Sequence, residues 1–205
     1  MNIFYDCGFN VGSVAAQFLG ERKNGPLPDD LDLLGKDNSD TVYYGFEPND
    51  GLLQYAECDL EDKRLILSNR LVWIEDGLMK NLYLEGRGGQ SSTLYTGDGC
   101  RLKNKSITRE TIDFSSFVKE THANADRVIL KMDIEGSEWE VLYKMIKDES
   151  IYLITDLIVE FHGRKKFGVK ATSDALRPKC IYVRDFLRSD KADWLKTKVL
   201  WRLWS

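Results

Sequence analysis

The chain alternates short, almost wholly apolar runs with longer stretches in which apolar residues recur at helical spacing. Ile3 to Cys7 has the length and β-propensity of a buried strand, and Val14 to Leu19, closed by Gly20, has the pattern of a short helix. The alternation returns at Thr41 to Phe46, followed by Leu52 to Glu61, and at Val128 to Met132, followed by Ser137 to Lys147. In that last helix Trp139, Leu142, Tyr143 and Ile146 share a face, which marks the stripe as core. Arg64 to Ser68 and Ile154 to Phe161 add two strands, and the aromatic, β-prone Val199 to Trp204 adds a terminal one. Strands alternating with helices predict an α/β domain built on a parallel sheet.

The stretches between these elements are polar. Residues 21–40, rich in Pro, Gly, Asp and Asn and without a sustained period, read as a surface insertion. Arg70 to Glu75 and Leu82 to Glu85 flank Asp76-Gly77 and read as a β-hairpin, with Asp76 serving the turn. The hydroxyl-rich Gly86 to Thr93 suits either a plain loop or a lid over a polar substrate. Lys105 to Thr111 is extended and polar, and Asp113 or Ser115 caps the helix that follows. Residues 179–188 and 191–196 read as helices, and no internal repeat is present.

With 205 residues and 42% hydrophobic content, the chain is long enough for one domain with a proper core and short for two, so a single domain over 1–205 is expected. Its first strand begins at residue 2 or 3, as in a domain cut from a longer polypeptide. The net charge of −4 provides no global positive field to recruit nucleic acid. No run approaches the roughly 20 apolar residues that span a bilayer, and the N-terminus lacks signal-peptide character. Four widely spaced cysteines without a C-x-x-C read as free thiols, and a soluble, cytoplasmic protein is expected.

Candidate chemistry begins at the turn after the first strand, Asp6-Cys-Gly-Phe-Asn-Val-Gly12. Glycines there let the backbone turn sharply and let a ligand approach main-chain N–H groups, and the following helix N-terminus favours an anionic group. The spacing is not the G-x-G-x-x-G of a dinucleotide site, which disfavours an NAD(P)-dependent oxidoreductase, the rival enzyme class. A non-catalytic cofactor-binding module is the other alternative. Glu47, at the end of the second strand, can take both hydroxyls of a ribose, although it lies farther past Gly12 than the usual twenty or so residues. Lys131 and Asp133 share one face at the end of their strand, where either a catalytic task or an ion pair propping the loop would justify them. Glu160 and His162 lie side by side two residues apart, whereas His122 reads as a surface residue. Open α/β sheets bind ligands outside the carboxyl ends of their strands, where Gly8, Glu47, Asp133 and His162 gather. The basic stretch Gly163 to Lys170 reads as a solvated loop or, beside the site, as a contact through Arg164 to hydroxyls or anionic groups of an acceptor.

Taken together, Asp6 to Gly12, Phe46-Glu-Pro48, Lys131-Met-Asp-Ile-Glu-Gly-Ser-Glu138 and Ile158-Val-Glu-Phe-His162 resemble the FkbM family of S-adenosylmethionine-dependent O-methyltransferases. The resemblance covers residues 3–162 and is most specific in the K-x-D-x-E-G-x-E string. It implies a class I methyltransferase fold, a Rossmann-like three-layer sandwich whose seven-stranded sheet is mostly parallel, with an antiparallel strand near the end. It implies S-adenosylmethionine as cofactor, with Asp6, Gly8, Asn10 and Gly12 bordering its methionine half, Glu47 on the ribose, and Pro48, Asn69 and Asp133 completing the set. The implied acceptor is a carbohydrate hydroxyl, contacted by Ser92 and Arg164, and the implied partner is a fused or associated glycosyltransferase.

Methyl transfer to an aliphatic hydroxyl needs a group that removes its proton, and the candidates rank as His162, Asp133, Glu135 and Lys131. A second route places Mg²⁺ or Mn²⁺ on Asp133, Glu160 and His162. The metal-free route is the expected one, since no tightly spaced ligand motif is present and a single histidine sits where the sheet opens.

Overall fold

The computed structural model describes residues 1–18, 40–59, 64–84, 92–94, 105–122, 124–162 and 175–202. In chain order the elements are β1 (Asn2–Cys7), α1 (Ser13–Phe18), β2 (Thr41–Phe46), α2 (Asp50–Asp59), β3 (Leu65–Ser68), β4 (Leu71–Trp73), β5 (Met79–Tyr83), β6 (Ser106–Asp113), α3 (Phe114–Thr121), β7 (Arg127–Met132), α4 (Glu138–Lys147), β8 (Asp156–His162), α5 (Leu176–Leu187) and β9 (Lys196–Arg202). Short 3₁₀ turns lie at Ser150–Leu153 and Asp190–Ala192. The insertion at 21–40, apart from Asp40, and the loop carrying Arg164 fall outside the described residues.

The central sheet has the order β3-β2-β1-β7-β8-β9, and every pairing in it is parallel. Its inner strands β1, β2, β7 and β8 are mostly apolar because both faces are covered. Ile3, Tyr5 and Cys7 point to one core with Leu130, Met132 and Phe161, closed by Phe114 and Val118 of α3 and Leu142 and Met145 of α4. Phe4 points the other way, joining Tyr43, Ile129 and Ile158 beneath Ala15 and Phe18 of α1. Helices on both faces of a parallel sheet give the expected three-layer α/β architecture.

Three details differ from expectation. Among the described residues the sheet has six strands rather than seven, and the antiparallel pairing lies in a second, three-stranded sheet of order β4-β6-β5. In that sheet β6 separates β4 from β5, so the expected hairpin across Asp76-Gly77 does not form. The turn itself is real, but Gly77 N donates to Thr111 O of β6 (3.1 Å) rather than bonding to the flanking strand. Finally, β9 starts at Lys196, which shortens the expected helix at 191–196 to a 3₁₀ turn. Among the described residues no helix is long and apolar enough to cross a membrane.

Register places the site. Cys7 pairs with Phe46 on one side and Met132 on the other, so β1, β2 and β7 end level. The next residues out, Gly8, Glu47 and Asp133, therefore emerge side by side. Met132 pairs with Val159, so β8 overruns its neighbour and carries Glu160 and His162 beyond the sheet end. The strand order reverses between β1 and β7, which is where open α/β sheets leave a crevice.

Candidate active site

The turn after β1 is held against both neighbours by backbone bonds. Gly8 N and Phe9 N donate to Phe46 O at 3.1 and 3.0 Å, and Asp133 N donates to Cys7 O at 2.9 Å. Gly8 has a left-handed φ of +88°, and a Cβ there would lie 1.9 Å from the Asp133 carbonyl oxygen. Only glycine lets the exits of β1 and β7 approach this closely.

Glu47 joins this turn to β2. Its Oε2 accepts from Asn10 N and its Oε1 from Asn49 N, both at 2.9 Å, which fixes the carboxylate plane at the cavity edge. Burial pushes its pKa up to about 7, against the pull of the two amides. The Glu47–Pro48 loop is braced from the small sheet, since Arg109 Nε donates to Pro48 O at 2.7 Å and its Nη2 pairs with Asp50.

Beneath the turn lies a buried charge pair. Lys131 Nζ donates to Asp6 Oδ1 (2.7 Å) and to Gly8 O (3.1 Å), and Tyr43 OH donates to Asp6 Oδ2 (2.6 Å). Burial draws the lysine pKa down, but attraction to Asp6 and Asp133 outweighs it and the net shift is upward. Lys131 is thus held as an ammonium, which runs against its ranking as a base.

His162 is the centre of an acidic cluster. Its Nδ1 lies 2.7 Å from Glu138 Oε1, and its Nε2 lies 3.3 Å from Glu160, 3.4 Å from Asp133 and 3.6 Å from Glu135. Glu138 is fully buried, and its carboxylate also accepts from Ile134 N and Gly136 N. Burial acts to lower the histidine pKa, but the hydrogen bonds to Glu138 and Glu160 and the surrounding negative charge raise it to about 10. These contacts favour the protonated ring and so work against His162 as the first-ranked general base. Asp133 keeps 35% of its side chain exposed, and burial moves its pKa above the ordinary carboxylate value despite Lys131.

A cavity opens between the turn and the small sheet. Of the expected cofactor residues, Gly8, Asn10, Glu47, Pro48 and Asp133 line it, as do Glu135 and Ser92 from the catalytic and acceptor sets. Asp6 and Gly12 do not; Asp6 is fully buried and supports the turn from below. Asn69 does not line it either, and its Nδ2 donates to Asp50 Oδ1 at 3.1 Å. Thr93 Oγ1 donates to Glu135 O at 2.8 Å, which ties the described end of the hydroxyl-rich loop to the acidic cluster.

Sequence reasoning missed the far wall, formed by Arg70, Leu71, Val72 and Leu82, and also Ser137 and Glu138. The last two stand inside the K-x-D-x-E-G-x-E string, where an acid beginning an apolar helix was the available signal. Among the described residues, the buried side-chain atoms without a hydrogen-bond partner are Asn10 Oδ1, Thr41 Oγ1, Arg70 Nε and Ser137 Oγ. All but the threonine belong to residues that line the cavity, as a polar ligand would require.

Comparison of the chain with curated proteins and with solved structures gives no match. A family model described as the methyltransferase FkbM domain matches residues 6–192, with the glycine turn, Glu47 and the acidic cluster all inside the match, and the chain belongs to the FkbM family of methyltransferases.

Proposed function

We propose that the chain transfers a methyl group from S-adenosylmethionine to a hydroxyl of a sugar or glycan. The observation that carries this reading is that Glu47 and Asp133, one on each side of the glycine turn, open onto one cavity. The residues present fit the cofactor: the orphaned Asn10 Oδ1 calls for a polar ligand, and Glu47 is already aligned by two amides to accept ribose hydroxyls. Gly8 and Asn10 would hold the methionine end. When bound, the cofactor supplies a methyl group already activated by its sulfonium, so positioning provides much of the acceleration.

The chain's own task is to seat the acceptor hydroxyl and take its proton. Asp133 is the best placed of the ranked bases, being a partly exposed carboxylate that lines the cavity and follows directly on β7. Glu135 lies next to it and offers an acceptor for a neighbouring hydroxyl, which suits the vicinal diols of a carbohydrate. His162, held by Glu138, stands among these carboxylates and fixes their arrangement.

Incubation with labelled S-adenosylmethionine and a panel of glycans, followed by identification of the methylated atom, tests the proposal. Label on a carbohydrate oxygen is the expected result. Cofactor binding without transfer to any acceptor would favour a binding module, and thermal stabilisation by NAD but not by S-adenosylmethionine would favour an oxidoreductase.

A further inference from the structure

We propose that Asp133, Glu135 and His162 form a binding site for a divalent cation, Mg²⁺ or Mn²⁺. The three side chains each offer one ligand atom, and these atoms all lie within 4.8 Å of one another. The separations of His162 Nε2 from Asp133 Oδ1 and Glu135 Oε2, 3.4 and 3.6 Å, fall in the range of ligand atoms around one small cation. Ligands about 2.1 Å from a common ion are roughly 3.0 Å apart when adjacent and about 4.2 Å apart when opposite.

The histidine is built as a metal ligand is built. Glu138 on Nδ1 fixes the ring, and the amides of Ile134 and Gly136 fix Glu138 in turn, so that Nε2 faces Asp133 and Glu135. Carboxylates in this outer position orient ligating histidines and raise their basicity. An oxygen-rich set with one nitrogen suits Mg²⁺ or Mn²⁺ rather than zinc.

A separate observation points to a ligand here. Ser137 is 2% exposed and its Oγ lacks a hydrogen-bond partner among the described residues, yet it lines the cavity shared by Asp133 and Glu135. Water on a bound cation, or a hydroxyl held by that cation, supplies the missing partner. Because each carboxylate gives one oxygen to the ion, the second oxygen of Asp133 remains for a proton. The site reverses the metal-free expectation and replaces Glu160 by Glu135 as a ligand, and its existence does not depend on the methyl acceptor.

The test is titration of the full chain with MnCl₂, following free Mn²⁺ by electron paramagnetic resonance without S-adenosylmethionine. One saturable Mn²⁺ per chain, displaced by Mg²⁺, is expected. Glu135→Gln and His162→Gln should each weaken it at least tenfold, and Glu138→Gln roughly 10- to 100-fold through the ring orientation. Glu140→Gln, which removes only a partner of Lys179, should leave it unchanged. Circular dichroism identifies any variant that has not folded; Glu135, at the cavity edge, is the informative one if the buried Glu138 variant fails. Absence of saturable binding below about 1 mM, or affinity unchanged in folded Glu135→Gln, would overturn the site. Cofactor affinity measured by calorimetry on the same samples is a separate readout, so failure of the cation site is distinguishable from failure of the methyl-transfer reading.

Discussion

Lys131 Nζ sits 2.7 Å from Asp6 Oδ1, and the two residues are register partners on adjacent strands, so one charge pair locks β1 to β7 directly beneath the glycine turn. The lysine also holds the Gly8 carbonyl. Its role is therefore to position the backbone that meets the ligand. Lys131→Met leaves Asp6, fully buried, with the Tyr43 hydroxyl as its remaining side-chain donor and with no counter-charge among the described residues. Uncompensated buried charges cost about 3–5 kcal/mol, and the double variant Asp6→Asn/Lys131→Met should recover much of that loss. Urea unfolding of both variants is the check; equal midpoints for the single variant and the parent would rule out the clamp.

Glu47 links stability to cofactor binding through pH. Its folded pKa of about 7 lies above the ordinary value of 4.5, so the folded state holds the extra proton between these two values. The resulting stabilisation is fully present below pH 4.5 and is lost as pH rises through 7, an effect of about 3 kcal/mol. Glu47→Gln should flatten the parent's fall in stability across that window. The same change should weaken S-adenosylmethionine binding, since paired hydrogen bonds to a ligand are worth about 1–3 kcal/mol, or roughly 5- to 150-fold. In the parent, affinity should fall as pH drops below 7 and the carboxylate is protonated. Parallel stability curves for variant and parent, or pH-independent affinity, would contradict this.

Gly8 cannot be substituted as a probe of the cofactor alone. On sequence grounds Gly8→Val is expected to weaken cofactor binding and leave the fold largely intact. The 1.9 Å approach of a Cβ to the Asp133 carbonyl shows that the backbones of β1 and β7 would have to part. Together with the left-handed φ, this predicts that even Gly8→Ala destabilises by about 2 kcal/mol or more. It should also lower turnover, because Asp133 moves with its carbonyl. A Gly8→Ala protein with parent-like melting temperature and activity would show the approach to be looser than described.

How much of this was legible follows from burial. β1, β2, β7 and β8 are sealed on both faces, so their sequences are continuous apolar runs that reveal themselves locally, and their ends predict where Gly8, Glu47 and Asp133 converge. The small sheet is different. Leu71–Trp73 and Met79–Tyr83 each find β6 rather than one another, and no local pattern reports a strand partner so far along the chain. Glu138 was visible as the last acid of the motif, but its purpose depends on His162, which is 24 residues away in sequence and 2.7 Å away in space. The surroundings of His162 were not legible locally, because the carboxylates around it come from the exit of β7, the start of α4 and β8.

The choice between Asp133 and His162 as the proton acceptor is open to a direct kinetic comparison. Asp133→Asn preserves size and one oxygen acceptor while removing the basic carboxylate from the cavity, and the residue's backbone bond to Cys7 is untouched. If the carboxylate takes the hydroxyl proton, turnover should fall by roughly 10²–10⁴ while S-adenosylmethionine affinity stays close to that of the parent. His162→Gln keeps a polar group facing Glu138 but removes the ring, so its first effect should be on the cluster that the ring holds together. A lowered melting temperature and a weaker grip on the acceptor, seen as a raised KM, are expected, with a smaller loss in kcat than for Asp133→Asn. Initial rates with labelled cofactor, with calorimetry on the same preparations, separate the two. A His162→Gln enzyme that binds cofactor and acceptor normally but has lost turnover, beside an Asp133→Asn enzyme near parent activity, would return the base to the histidine.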